Sequence, residues 1–166
     1  LKVEGGRVAF HDEIAGAQTF DVGAEVGDFL IARRDGAPAY QLAVVVDDAA
    51  QSVTEVLRGD DLLPSTARQW LLQKALGLPH PRWAHVPLVV DASGRRLAKR
   101  EADLGLAELR ARGADPRAIV LWAARSCGLE LNERVTPAEV APDFNLARVP
   151  RSPVCVDTAL LSELTA

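Results

Sequence analysis

The stretch "AYQLAVVVDDAAQSVTEVLRGDDL", residues 39–62, decides how this chain is to be read. Two apolar runs, Leu42 to Val46 and Val53 to Leu57, each stop at charge: Asp47 and Asp48 after the first, Arg58, Asp60 and Asp61 after the second. "LAVVV" lacks polar alternation and suits a strand covered on both faces, as in a parallel sheet. In an open α/β sheet, ligands bind beyond the carboxyl ends of the strands. Asp47, Asp48, Arg58 and Asp61 are therefore either crevice residues or plain turn residues. Arg58-Gly59-Asp60 also spells an adhesion tripeptide, but one that ends a buried strand is a chance match.

Upstream, residues 1–26 carry glycines at 5, 6, 16 and 23 without a clear period, which reads as short strands and loops. "DFLIARRDGAPAYQL" reads as strand, turn at Asp35-Gly36, and strand, because glycine supplies the positive φ such a turn needs. Downstream, Ser65 is placed to cap a helix running to Lys74 or Leu76, with Gly77 and Pro79 as stop signals. "WAHVPLVV" is the next strand, so strand, helix and strand follow in the order of an α/β layer. After Arg100 the texture turns helical. Asp103 caps a helix ending near Gly113, Asp115-Pro116 opens another with an apolar stripe of Ile119, Trp122, Ala123 and Cys127, and "TPAE" at 136–139 is a capping box.

The 166 residues, 48% hydrophobic and 25% charged, have the makeup of an ordinary globular protein. No run approaches a membrane span and no leader is evident, so a cytoplasmic protein is expected. Cys127 and Cys155 read as structural thiols, and His80 and His85 as packing or loop residues, since no ligand spacing joins them. The chain has no methionine and begins with leucine, which suggests a piece of a longer protein. The net charge of -4 argues against non-specific coating of nucleic acid. Yet residues 95–125 hold 8 basic and 4 acidic side chains, either a solvated helix face or a surface for phosphates. "GRRLAKR", residues 94–100, puts four positive charges on a glycine-flexible loop after a strand, a weak signal for a polyphosphate.

Taken in order, Tyr-x-Leu-Ala-Val-Val-Val-Asp-Asp at 40–48, Arg-Gly-x-Asp at 58–61, Thr-x-Arg-Gln at 66–69 and the basic loop at 96–100 closely resemble glutamyl-tRNA synthetase-like class I enzymes. The resemblance implies an α/β fold: the second half of a Rossmann-type class I catalytic domain over residues 27–100, followed by a short all-helical tail over 101–166. Residues 1–26 then end an insertion subdomain of the acceptor-binding type. It implies that Tyr40 and Arg58 hold the glutamate substrate. It also implies that Arg96, Leu97, Ala98, Lys99 and Arg100 form the signature loop that binds ATP, with Lys99 the catalytic lysine. The physics agrees: a guanidinium forks onto a carboxylate, and a lysine on a mobile loop neutralises charge that builds on the phosphates.

ATP and Mg2+ are the implied co-substrates. Zn2+, and the family's His-x-Gly-His-type ATP motif, are expected only in a portion preceding Leu1. Ala98 replaces the usual serine of the loop. Leu62 stands where glutamyl-tRNA synthetases proper carry histidine, which resembles the branch that lacks an anticodon-binding domain and glutamylates queuosine of tRNA(Asp). The implied partners are L-glutamate, ATP and queuosine-bearing tRNA(Asp), with the intact enzyme a monomer and this chain alone inactive. Two alternatives stand: a truncated glutamyl-tRNA synthetase that charges tRNA(Glu), and a non-catalytic tRNA-binding or assembly module.

Overall fold

A computed structural model describes residues 1–97, 105–156 and 158–164. The chain divides into two compact units, Leu1–Val86 and Pro87–Ala166.

The first unit is built on a four-stranded sheet in the order β2-β1-β4-β3. Strands β1 (Arg7–Asp12) and β2 (Gly16–Asp21) pair antiparallel, and Asp12 closes their hairpin by accepting the backbone N–H groups of Ile14 and Ala15 at 3.0 and 2.7 Å. β4 (Arg82–Val86) runs parallel to β1, meeting it at Asp12 and Trp83, and parallel to β3 (Glu55–Gly59) on its other side. Parallel neighbours need a crossover, and α2 (Leu63–Leu76) provides it between β3 and β4. The core lies where Val8, Val22, Val26 and Ala67 meet the rings of Phe10, Phe20, Phe29 and Trp70.

The opening stretch corrects its own reading. "YQLAVVVDDAA" is not a strand but helix α1 (Tyr40–Ala50), packed against α2. Its β-branched run disfavours helix only weakly, and tertiary contact overrides so small a preference. Ala39, extended behind Pro38, accepts the first helical N–H groups, from Leu42 and Ala43. Asp47 and Asp48 therefore end a helix, not a strand. The expected pair of strands around Asp35-Gly36 shrinks to one bridge between Ala32 and Pro38, although the turn forms, with Gly36 at φ 82°. Helix α2 starts at Leu63, ahead of Ser65, so Ser65 lies inside the first turn and caps nothing. Its end is as expected: Gly77 turns left-handed, at φ 67°, and donates to the carbonyls of Gln73 and Lys74.

The second unit pairs β5 (Val89–Val90) in parallel with β6 (Val154–Cys155), the one strand described beyond Arg100. Around it lie α3 (Leu106–Ala111), α4 (Pro116–Ser126), α5 (Pro137–Val140) and α6 (Thr158–Leu164). Asp115 caps α4 through the Arg117 N–H, and Thr136 and Glu139 form the expected capping box. Asp103 lies outside the described residues, and α3 begins behind Gly105. Gly128 turns left-handed after α4, at φ 86°, and passes so close to the Arg148 carbonyl that an added Cβ would sit 2.5 Å from its oxygen. Cys127 and Cys155 are both free thiols. No described helix is long and apolar enough to cross a membrane.

Candidate active site

Arg58 is the penultimate residue of β3, so the parallel pairing with β4 delivers it to the carboxyl end of the sheet, across from His85. It is half-buried there, and its side edge is docked on the protein. Nε donates to His85 Nε2 at 3.0 Å and Nη2 to Thr66 Oγ1 at 2.8 Å, with a longer contact from Nη2 to the Leu62 carbonyl at 3.4 Å. Nη1 has no protein partner among the described residues. Nη1 therefore remains available to an anion, while Nε and Nη2 are held by the protein.

Behind Arg58 the network runs into the interior. His85 is 1% exposed, while Thr66 and Asp12 are wholly buried. His85 Nδ1 meets Asp12 Oδ2 at 2.6 Å, and Asp12 Oδ1 also accepts the His85 backbone N–H at 3.1 Å. Because Nε2 accepts from Arg58, the proton of a neutral ring must sit on Nδ1, facing Asp12. Burial pushes the His85 pKa below its usual value, against the pull of Asp12. Burial alone would raise Asp12, but the bonds it accepts from His85, Ala15 and Ile14 outweigh that, and its pKa falls. Asp12 is thus a carboxylate and His85 a neutral imidazole.

Tyr40 opens α1 and is 57% exposed, with its phenol near enough to act electrostatically on Arg58. Desolvation lowers the Arg58 pKa, and Tyr40, Asp48, Asp12 and Asp61 oppose that shift. A guanidinium stays charged throughout. The fold thus brings together Tyr40, Arg58, Asp48 and Asp61, while Asp47 points to solvent. Sequence reading missed Asp12 and Thr66 and took His85 for packing. The available signal was a histidine inside the apolar run "WAHVPLVV": a ring buried there must find polar partners.

In the second unit, Val89 to Leu97 folds back as a tight turn in which Val90 faces Arg96 and the Leu97 N–H donates to the Val89 carbonyl. Asp91 builds this turn, accepting from the Ser93 hydroxyl, the Ser93 and Arg95 N–H groups and the Arg95 guanidinium. Led by the Ser93 hydroxyl, these bonds hold its pKa at about 2. Arg96 and Leu97 thus start the basic loop from a fixed base. Ala98, Lys99 and Arg100 lie outside the described residues. Several arginines of the basic island are paired within the unit: Arg95 with Asp91, Arg112 with Glu108, Arg117 with Glu139. No group of three or more His, Cys, Asp or Glu side chains among the described residues is arranged to hold a metal ion.

The family model described as tRNA synthetases class I (E and Q), catalytic domain, matches residues 2–163. The glutamyl-Q tRNA(Asp) synthetase of Symbiobacterium thermophilum is 50% identical over 159 residues, covering 95% of this chain and 49% of that protein. That of Nocardia farcinica is 50% identical over 137 residues, covering 82% of this chain and 43% of its own length. The chain spans about half the length of the curated relatives it matches. The glutamate-tRNA synthetase from Elizabethkingia anophelis superposes with a TM-score of 0.83 at 24% identity, covering 98% of this chain and 37% of that one. Its likeness concerns the fold.

Proposed function

The chain belongs to the class I tRNA synthetases of the E and Q type, and from that premise we propose that it forms the second half of a catalytic domain that activates L-glutamate with ATP and Mg2+ and passes it to queuosine of tRNA(Asp). The observation that carries the reading is Arg58. A guanidinium anchored through Nε and Nη2, with Nη1 left for a ligand near Tyr40, suits the carboxylate of glutamate and not the neutral amide of glutamine. β3 is the outer strand of its sheet, an edge to which further strands of a complete domain can pair, and the exposure of Leu57 by 64% leaves an apolar patch on a face of that strand for another element to cover. Residues 27–100 are read as that half-domain, 1–26 as the end of an insertion, and 101–166 as the tail. Lys99, within the loop that starts at Arg96, is assigned to the ATP phosphates, where it stabilises charge as the adenylate forms. The complete enzyme is expected to act as a cytoplasmic monomer, with Zn2+ held outside this chain.

Leu62 and the names of the relatives favour tRNA(Asp) over tRNA(Glu) as acceptor. Two measurements test the reading. Glutamate-dependent ATP–pyrophosphate exchange separates an enzyme from a tRNA-binding module. Labelled glutamate, offered with each tRNA with and without queuosine, identifies the acceptor. Label on tRNA(Glu), or on tRNA(Asp) lacking queuosine, refutes the assignment. The 166-residue chain alone should show no exchange, because it lacks the His-x-Gly-His-type half of the ATP site.

A further inference from the structure

We propose that Asp12 and His85 are positioning residues that set glutamate selectivity by locking the imidazole in the one tautomer able to anchor Arg58. The inference rests on the reading of Arg58 as the glutamate ligand and deepens it. His85 faces Asp12 from β1, Arg58 from β3, Asp60 from the turn after β3 and Thr66 from α2. Only with the proton on Nδ1 does Nε2 present a lone pair to the Arg58 Nε–H. Asp12, ionised and only 2.6 Å from Nδ1, enforces that state. The other tautomer, or a doubly protonated ring, would set N–H against N–H. With Asp12, Thr66 and His85 no more than 1% exposed, no solvent is at hand to relieve the clash. The consequence reaches the substrate through geometry. Docking Nε and Nη2 on His85, Thr66 and Leu62 fixes the guanidinium plane and leaves Nη1 for the substrate, and an unanchored guanidinium would lose its fixed charge-assisted bond to a carboxylate.

Asp12→Asn separates shape from proton placement. The amide oxygen keeps the backbone bonds from Ile14, Ala15 and His85, but its NH2 now donates to Nδ1 and drives the imidazole proton to Nε2. In the complete enzyme, exchange kinetics should show the glutamate KM raised roughly tenfold, the effect of one lost charge-assisted bond. The preference for glutamate over glutamine should fall by a similar factor, with kcat and the ATP KM little changed. His85→Gln keeps an oxygen able to accept from Arg58 and should stay closer to wild type. Adding Asp12→Asn to His85→Gln should cost nothing further, a non-additivity that a merely structural role would not produce.

Nitrogen-15 NMR of the 166-residue chain should show Nδ1 of His85 protonated and Nε2 bare. A proton on Nε2 overturns the proposal. So does an Asp12→Asn enzyme that melts lower yet keeps its glutamate KM and selectivity, provided Arg58→Gln loses both; that result leaves the Arg58 reading intact. An Arg58→Gln enzyme with unchanged glutamate KM sinks that reading and the proposal with it. Should Asp12→Asn not fold, His85→Leu against His85→Gln decides the same point: equal selectivity in the two overturns it.

Discussion

Replacing Arg58 with glutamine tests the site at its centre. The side chain makes two short hydrogen bonds within the protein, to Thr66 at 2.8 Å and His85 at 3.0 Å, and a weaker one at 3.4 Å to Leu62. Each short bond contributes about 1 kcal/mol net, and a glutamine amide can replace one of them at most. A stability loss of roughly 1–3 kcal/mol follows. For a domain of about 150–250 residues each kcal/mol lowers the melting temperature by about 2–4 °C, and the complete enzyme is larger still. The bond that Nη1 is left to make with substrate is a separate quantity. A charge-assisted bond to a carboxylate is worth about 1.5–3 kcal/mol, so the glutamate requirement should rise roughly tenfold to a hundredfold or more. Glutamine never had that charge to offer, so its KM should move little, and discrimination should relax by nearly the whole factor. Exchange kinetics with both amino acids, and a thermal melt on the same sample, read the two quantities side by side. A variant that melts lower but keeps its preference for glutamate would show that Arg58 serves only the interior network, and the substrate reading would be wrong.

Lys99→Ala in the complete enzyme should slow pre-steady-state adenylate formation by about a hundredfold to a thousandfold, as loss of one transition-state donor does; an unchanged rate would reduce the loop to a solvated turn. Gly128→Ala should lower stability by about 2–4 kcal/mol, since it adds a backbone collision at the Arg148 carbonyl to a left-handed φ. Gly113→Ala, at φ 82° in open space, carries only the conformational cost of about 1–2 kcal/mol. Urea titration compares the pair. Because the folded pKa of Asp91 is depressed to about 2, its contribution to stability is present above its unfolded value near 4 and is lost as pH falls through about 2. The difference in melting temperature between wild type and Asp91→Ala should accordingly hold from neutral pH to about 5 and vanish toward pH 2.

What the sequence by itself determined is local or ordered along the chain. Gly77 and Gly128 as helix terminators, the Asp115 cap and the Thr136–Glu139 box depend on residues within a turn of one another, and they formed as read. The apolar run before Arg58 did become strand β3, but "WAHVPLVV", read as one strand, is divided into β4 and β5, which belong to different sheets, because Pro87 lacks the N–H that a continuing ladder needs. The order of the motifs pointed to the family without any geometry. Tertiary structure alone decided the state of "LAVVV". An apolar run of five fits a buried strand or a buried helix equally well, and the choice fell to packing against α2. It also decided what anchors Arg58. Asp12 and His85 stand 73 residues apart and meet only because β1 and β4 are neighbours in the sheet, while Thr66 joins them from the crossover helix. No spacing rule along one strand or helix encodes such a meeting, since the three side chains are brought together by sheet order, and sheet order is a property of the whole unit.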